Sequence, residues 1–286
     1  MFVQWNPEQH GIGIEVIDTQ HQELFILTNQ LHDLIEAENR DGESIMKVLK
    51  RLYAYTGFHF VSEEGLFREY GYPDVEDHIV VHESFRKKIK EYLDDFRDKP
   101  NMPLESLQDF LVEWIIGHII GDDRHYAEYF EANNIEPELH FSPAQNARTE
   151  DLNLWQQKKL ELEIKAIDDQ HKQLIAILQQ TNDLQHTSEA RKQIFLPIII
   201  KKLFYYTQFH FSYEEEHMAK NSYPLLHDHQ EQHKHFIGEI VKFANEYKEG
   251  RIRLTDEIIV FLRDWTVNHI LEEDRKYKRF LDSLEE

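Results

Sequence analysis

The chain contains no cysteine among its 286 residues. Disulfide staples, thiolate nucleophiles, iron–sulfur clusters and cysteine-type zinc sites are excluded by that one absence. Glycine and proline are scarce, at 10 and 8 residues, which disfavours a turn-dense β fold and favours long helices. No apolar run approaches the roughly 20 residues that a membrane span needs; the longest, 194–200, is short and holds Pro197. The N-terminus does not join a basic stretch to an apolar one, so a cytoplasmic location is expected. Positive charge is also short, with 32 Lys and Arg against 54 Asp and Glu and a net charge of −22. Without a basic stripe, nucleic acid and anionic membrane surfaces are not expected as partners.

What is abundant is histidine: 18 residues, as many as phenylalanine. Many of these histidines belong to an internal repeat. His59-Phe60-x-x-Glu63-Glu64 returns as His210-Phe211-x-x-Glu214-Glu215, and Tyr72-Pro73 as Tyr223-Pro224. His78-x-x-x-His82 returns as His229-x-x-x-His233, and Trp114-x-x-x-His118-Ile119 as Trp265-x-x-x-His269-Ile270. Asp123-x-x-Tyr126 returns as Asp274-x-x-Tyr277, all at one offset of 151. Trp5 and Ile17-Asp18-x-Gln20-His21 return at offset 150, as Trp155 and Ile167-Asp168-x-Gln170-His171. Such concordance is not chance. It divides the chain into a domain at 1–131, a linker at 132–153 rich in Pro and Asn, and a second domain at 154–286.

Each half reads as four helices. In the first, Asp18 precedes a periodic segment to about Ala37, in which Leu24, Leu27, Leu31, Leu34 and Ile35 recur at three and four. A second helix ends at Gly71-Tyr72-Pro73, Asp74 caps a third, and a fourth runs from beyond Pro103 to about Glu131. In the second half Pro197 aligns with Met46, near the start of a helix, where proline is tolerated. Short connections between four long helices predict an all-α protein of two up-down-up-down four-helix bundles in tandem.

Residues at i and i+4 share a helical face. His59 with Glu63, and His78 with His82, therefore each offer two ligands to the bundle interior. His21 lies on the first helix, and His118 and Asp123 on the fourth. A lone histidine on such a helix ordinarily faces solvent or makes one buried hydrogen bond. Seven metal-friendly side chains on four helices, present twice, point to a metal centre. Imidazole with carboxylate suits Fe, Zn, Mn or Cu. Five histidines and two carboxylates exceed a mononuclear site. If both carboxylates and a hydroxide bridge two six-coordinate ions, one position stays open. One spacing is awkward: His118 and Asp123, five apart, would stand about 140° apart on a regular helix. A π-type widening is expected between them.

These motifs resemble those of the hemerythrins, particularly the bacterial ones, over nearly all of both halves. The resemblance implies two iron ions per domain, four per chain, bridged by oxo or hydroxo, with reversible dioxygen binding and no catalytic residues. It implies that His78, His82 and His118 hold one iron, His21 and His59 the other, which keeps the vacancy, and that Glu63 and Asp123 bridge. The matching set is His229, His233 and His269, then His171 and His210, with Glu214 and Asp274. It also implies a dioxygen pocket of Leu24, Phe60, Trp114 and Ile119, repeated as Leu174, Phe211, Trp265 and Ile270; plain core packing explains apolar residues there equally well. A protein partner that receives the dioxygen is a further expectation. The competing classes are a di-iron enzyme acting on peroxide, nitric oxide or dioxygen, and a sensor or iron-storage module.

The halves have diverged outside these positions. Gly11 and Gly13 become Glu161 and Glu163, and Leu66 becomes His217. His217, one turn from Glu214, is a candidate donor to that carboxylate or a solvent-facing residue. The remaining unmatched histidines, His10, His32, His125, His140, His186, His227 and His235, are expected to have surface or local roles.

Overall fold

The computed structural model describes residues 2–38, 41–100, 102–137, 159–251 and 256–285. The chain separates into two compact units, Met1–Leu139 and His140–Glu286. Both are helical bundles, and no strand occurs among the described residues. No described helix is long and apolar enough to cross a membrane. Much of the expected linker, with Pro143, His140 and also Trp155, falls outside the described residues.

The first unit opens with a short helix α1 (Pro7–His10), capped by the Asn6 side chain with Pro7 in its first turn. Four long helices follow: α2 (Glu15–Glu36), α3 (Gly42–Tyr70), α4 (Val75–Asp98), and a fourth made of α5 (Glu105–His118), a π turn (Ile119–Asp123) and α6 (Arg124–Ala132). α2 packs on α3 and α3 on α4, α5 returns against α2, and Phe85 of α4 meets Trp114 and Phe110 of α5. The second unit repeats this with α7 (Lys165–Gln185), α8 (Glu189–Lys220), α9 (Leu226–Lys248), α10 (Asp256–His269), a π turn (Ile270–Asp274) and α11 (Arg275–Glu285). Leu24, Leu27, Leu31 and Ile35 are buried along one stripe of α2, as their spacing predicts.

Local chemistry sets the helix ends. Asp41 caps α3 by accepting from the Glu43 N–H. Gly71 ends that helix at φ 67, a left-handed conformation that costs glycine least. Three expectations need correction. Asp18 does not precede α2 but lies in its first turn, where its carboxylate accepts the Ile12 and Gly13 N–H groups at 2.9 and 3.1 Å. It ties down the leading loop at the positive end of the helix dipole. Asp74 stands at the start of α4 but makes no side-chain cap bond. Pro197 is not in a first turn, because Ser188 caps α8 earlier, and the helix starts at Glu189 and runs through the proline. Pro197 removes the donor to the Gln193 carbonyl, yet both residues are exposed, so water can bond to that oxygen.

The leading loops differ in sequence, yet both place a left-handed residue at the same point and tie the loop to an aspartate, Asp18 or Asp168. Gly13 adopts φ 82, and its counterpart Glu163 takes φ 63 without the freedom of glycine, at a cost of roughly 1–2 kcal/mol.

Candidate metal centre

The π turn is what brings the fourth helix's two donors to one side. The wider i→i+5 turn brings His118 and Asp123 toward the same interior point, and His269 and Asp274 lie across the same device in the second unit. In the first unit α2 supplies His21, α3 supplies His59 and Glu63, and α4 supplies His78 and His82; with His118 and Asp123, all seven are buried. The Asp123 carboxylate faces three imidazoles, with Nε2 of His21 at 3.2 Å, of His118 at 3.1 Å and of His78 at 3.4 Å. Glu63 Oε2 lies 3.1 Å from His82 Nε2 and 3.7 Å from His59 Nε2. His82 Nε2 and His118 Nε2 are 3.0 Å apart.

The donor atoms form two groups, each spanning no more than 4.8 Å: Glu63, His78, His82, His118 and Asp123, and then His21, His59, Glu63 and Asp123. Both carboxylates belong to both groups. In the second unit Glu214 is shared in the same way, between His229, His233 and His269 on one side and His171 and His210 on the other. Asp274 stands 3.3 Å from His171, 3.5 Å from His229 and 3.2 Å from His269. The structure therefore brings together every candidate ligand that the spacing singles out.

Whether these residues fit metal ions can be judged from what they lack. Both His21 nitrogens, His78 Nε2, Glu63 Oε2 and both Asp123 oxygens are buried without a hydrogen-bond partner, as are both His171 nitrogens and both Asp274 oxygens. Leaving such groups unmatched costs about 1–3 kcal/mol each. A cation between them would satisfy all of them at once. Electrostatics divide the rings, with His78 and His233 raised by neighbouring carboxylates against the pull of burial. Burial drives His59 down to about 3 and His171 down to about 4, and pushes His82, His210 and His269 well below the usual imidazole range. These rings are held neutral, the form that binds metal. Burial would lower His21 too, but its contacts with Asp123 and Asp18 outweigh it and raise the group to about 9.

A further layer orients the rings. His59 Nδ1 donates to Gln20 Oε1 at 3.0 Å, and His210 Nδ1 to Gln170 Oε1 at 2.9 Å, leaving each Nε2 lone pair aimed inward. His118 Nδ1 pairs with Asp122 at 3.0 Å in the first unit. In the second, the outer carboxylate is Glu215, 2.8 Å from His233 Nδ1, on a different helix. Tyr126 donates its hydroxyl proton to Glu63 Oε1 at 2.7 Å. Sequence reasoning assigned none of these residues a role. The recurring Gln-His pair and the recurring Asp-x-x-Tyr were the available signal for Gln20, Gln170 and Tyr126. Glu215 recurs with Glu64 in the same repeat, whereas Asp122 had no such signal.

The apolar residues divide in two. Phe60 stacks on His82 at 3.9 Å and Trp114 on His118 at 4.3 Å; Phe211 and Trp265 stack on His233 and His269 at 3.6 and 4.5 Å. They brace imidazoles of the group with more histidines, and both tryptophans are only half-buried. Leu24, Ile119, Leu174 and Ile270 are buried. Trp5, 6.1 Å from the His21 ring, also packs on His10 and Phe25. Buried His10 thus has a local packing role. His217 neither donates to Glu214 nor faces solvent: it is half-buried and bonds to Tyr277.

A four-helix bundle with a buried, carboxylate-sharing cluster of five histidines defines a class of helical cation-binding domain, here present twice. The hemerythrin HHE cation binding domain matches residues 12–130 and again 162–281. The chain belongs to the hemerythrin family. It is 35% identical over 123 residues to a bacteriohemerythrin of Stenotrophomonas maltophilia, covering 43% of this chain and 78% of that protein. It is 34% identical over 134 residues to a bacteriohemerythrin of Clostridium acetobutylicum, covering 45% of this chain and all of that protein. A Pseudomonas aeruginosa bacteriohemerythrin is 33% identical over 116 residues, 41% of this chain and 74% of that protein.

Proposed function

We propose that each domain holds two iron ions and binds dioxygen reversibly, so that the chain acts as a carrier or store rather than an enzyme. The observation that carries this reading is the sharing of buried carboxylates between unequal sets of histidines, Glu63 and Asp123 in the first domain and Glu214 in the second. His78, His82 and His118 would hold one iron and His21 and His59 the other, with Glu63 and Asp123 common to both. His229, His233 and His269, His171 and His210, and Glu214 and Asp274 would do the same in the second domain. The ion with two histidines receives one protein donor fewer, which leaves room for a small ligand.

Iron supplies affinity for dioxygen and reversible electron exchange with it. The chain's own residues do the rest. Gln20 and Gln170 fix the His59 and His210 tautomers. Leu24 and Ile119, with Leu174 and Ile270, keep water from the interior, and the stacked Phe60, Trp114, Phe211 and Trp265 hold imidazoles in place. Two carboxylates against five histidines favour holding a ligand over activating it. The linker at 132–153 would join two self-sufficient domains, and a separate protein would receive the dioxygen.

The test is anaerobic reconstitution of the full chain with ferrous iron, then exposure to oxygen and its removal. Four irons per chain and a visible band that vanishes on deoxygenation are expected. Irreversible oxidation with continuing oxygen consumption would overturn the carrier reading in favour of an enzyme.

A further inference from the structure

Besides their outer carboxylates, the two centres differ in the partner of one tyrosine. In the first domain the Tyr126 hydroxyl has a single described partner, Glu63 Oε1 at 2.7 Å. The residue one turn beyond Glu63 is Leu66, buried and apolar, whose side chain offers the phenol no hydrogen-bond partner. In the second domain that position is His217, and Asn221 replaces Tyr70. Tyr277 then meets three polar groups: His217 Nδ1 at 2.6 Å, the His217 carbonyl at 3.0 Å and Asn221 Nδ2 at 3.0 Å. Asn221 Nδ2 also donates to the His217 carbonyl at 2.8 Å, which closes the network.

A phenol has one proton to give. Where His217 Nδ1 carries its hydrogen, the ring donates to the Tyr277 oxygen and the phenol proton goes to the His217 carbonyl. Where Nδ1 is bare, the phenol proton goes to Nδ1. In both tautomers the proton is spent on His217, and none remains for Glu214. Consistently, Glu214 Oε1 is buried with no hydrogen-bond partner.

We propose that His217, assisted by Asn221, is a positioning residue that withdraws Tyr277 from Glu214 and makes the second metal centre release its iron faster than the first. The proposal rests on the reading that each domain holds a metal pair through its shared carboxylates. In the first domain Tyr126 pins one oxygen of Glu63, so the carboxylate is held in its binding orientation. In the second, Glu214 Oε1 lacks that restraint, and the carboxylate is held only through Oε2, 3.2 Å from His229 Nε2. Loss of such an outer partner typically costs 10–100-fold in metal affinity.

The experiment follows iron transfer from the loaded full chain to an excess of ferrous chelator in stopped flow. Two phases are expected, about tenfold or more apart, the faster one being abolished by His210→Ala. Tyr126→Phe should speed the slow phase by about tenfold, whereas Tyr277→Phe should leave the fast phase within about twofold. His217→Leu, which installs the residue of the first domain, should slow the fast phase by about tenfold and make it sensitive to Tyr277→Phe in the double variant. That conditional sensitivity is not expected of a residue that merely fills space, and the melting temperature of the metal-free variants checks that both domains fold. A fast phase that His217→Leu leaves unmoved, or that Tyr277→Phe alone accelerates as much as Tyr126→Phe accelerates the slow one, overturns the proposal. A chain that takes up no iron defeats the underlying metal reading instead, so the two failures are distinct.

Discussion

Removing the metal should destabilise both domains by an amount large enough to see in a melting curve. The cluster of the first domain buries two carboxylates and five imidazoles, several of them without hydrogen-bond partners. Ions that bind this state and not the unfolded chain stabilise it by mass action. Free iron at 100 times Kd contributes about 2.7 kcal/mol per ion, or about 5 kcal/mol for a two-ion centre. One kcal/mol moves the melting point of a domain of this size by roughly 3–5 °C. The loaded chain should therefore melt about 15–25 °C above the metal-free one. Anaerobic differential scanning calorimetry with and without ferrous iron measures this directly. His59→Ala removes one of the two histidines of the less richly supplied ion, so it should abolish about half of the gain in the first domain and none in the second. A melting point that iron does not move, or a gain that His59→Ala leaves intact, would refute the reasoning.

Two further outcomes follow from the same geometry. Asp122→Asn should weaken iron retention in the first domain alone, by about tenfold, while Glu215→Gln should do so in the second alone, because the outer carboxylate pairs with His118 in one and with His233 in the other; titration of each variant with ferrous iron against a chelator distinguishes the domains. The metal-free chain should lose stability as pH falls below about 6.5, since the unfolded histidines take up protons that His59 and His171, held down to about 3 and 4, refuse in the folded state, each contributing on the order of 1 kcal/mol per pH unit. His21, raised to about 9, acts with the opposite sign, stabilising below about 6.5 and losing that contribution as pH rises toward 9. Urea midpoints of metal-free protein across pH 4–9 test both slopes.

The sequence alone determined whatever depends on residues close together along the chain. Spacings of three and four set the helical faces, so the pairs His59 with Glu63 and His78 with His82 could be assigned to the interior. The fixed offset between the halves identified the repeat. Even the π turn was legible, because no regular helix brings His118 and Asp123 to one side, and the structure widens at that very stretch. What only the tertiary structure decided is which atom bonds to which across helices. Gln20 reaches His59 from another helix, and Phe60 and Trp114 brace His82 and His118. Tyr277, identical in letter to Tyr126, gives its proton to His217 rather than to a glutamate. These choices depend on the phase of one helix against its neighbour and on rotamers fixed by packing. A periodic pattern specifies which side of a helix faces inward, but not which of several buried partners a single proton will take.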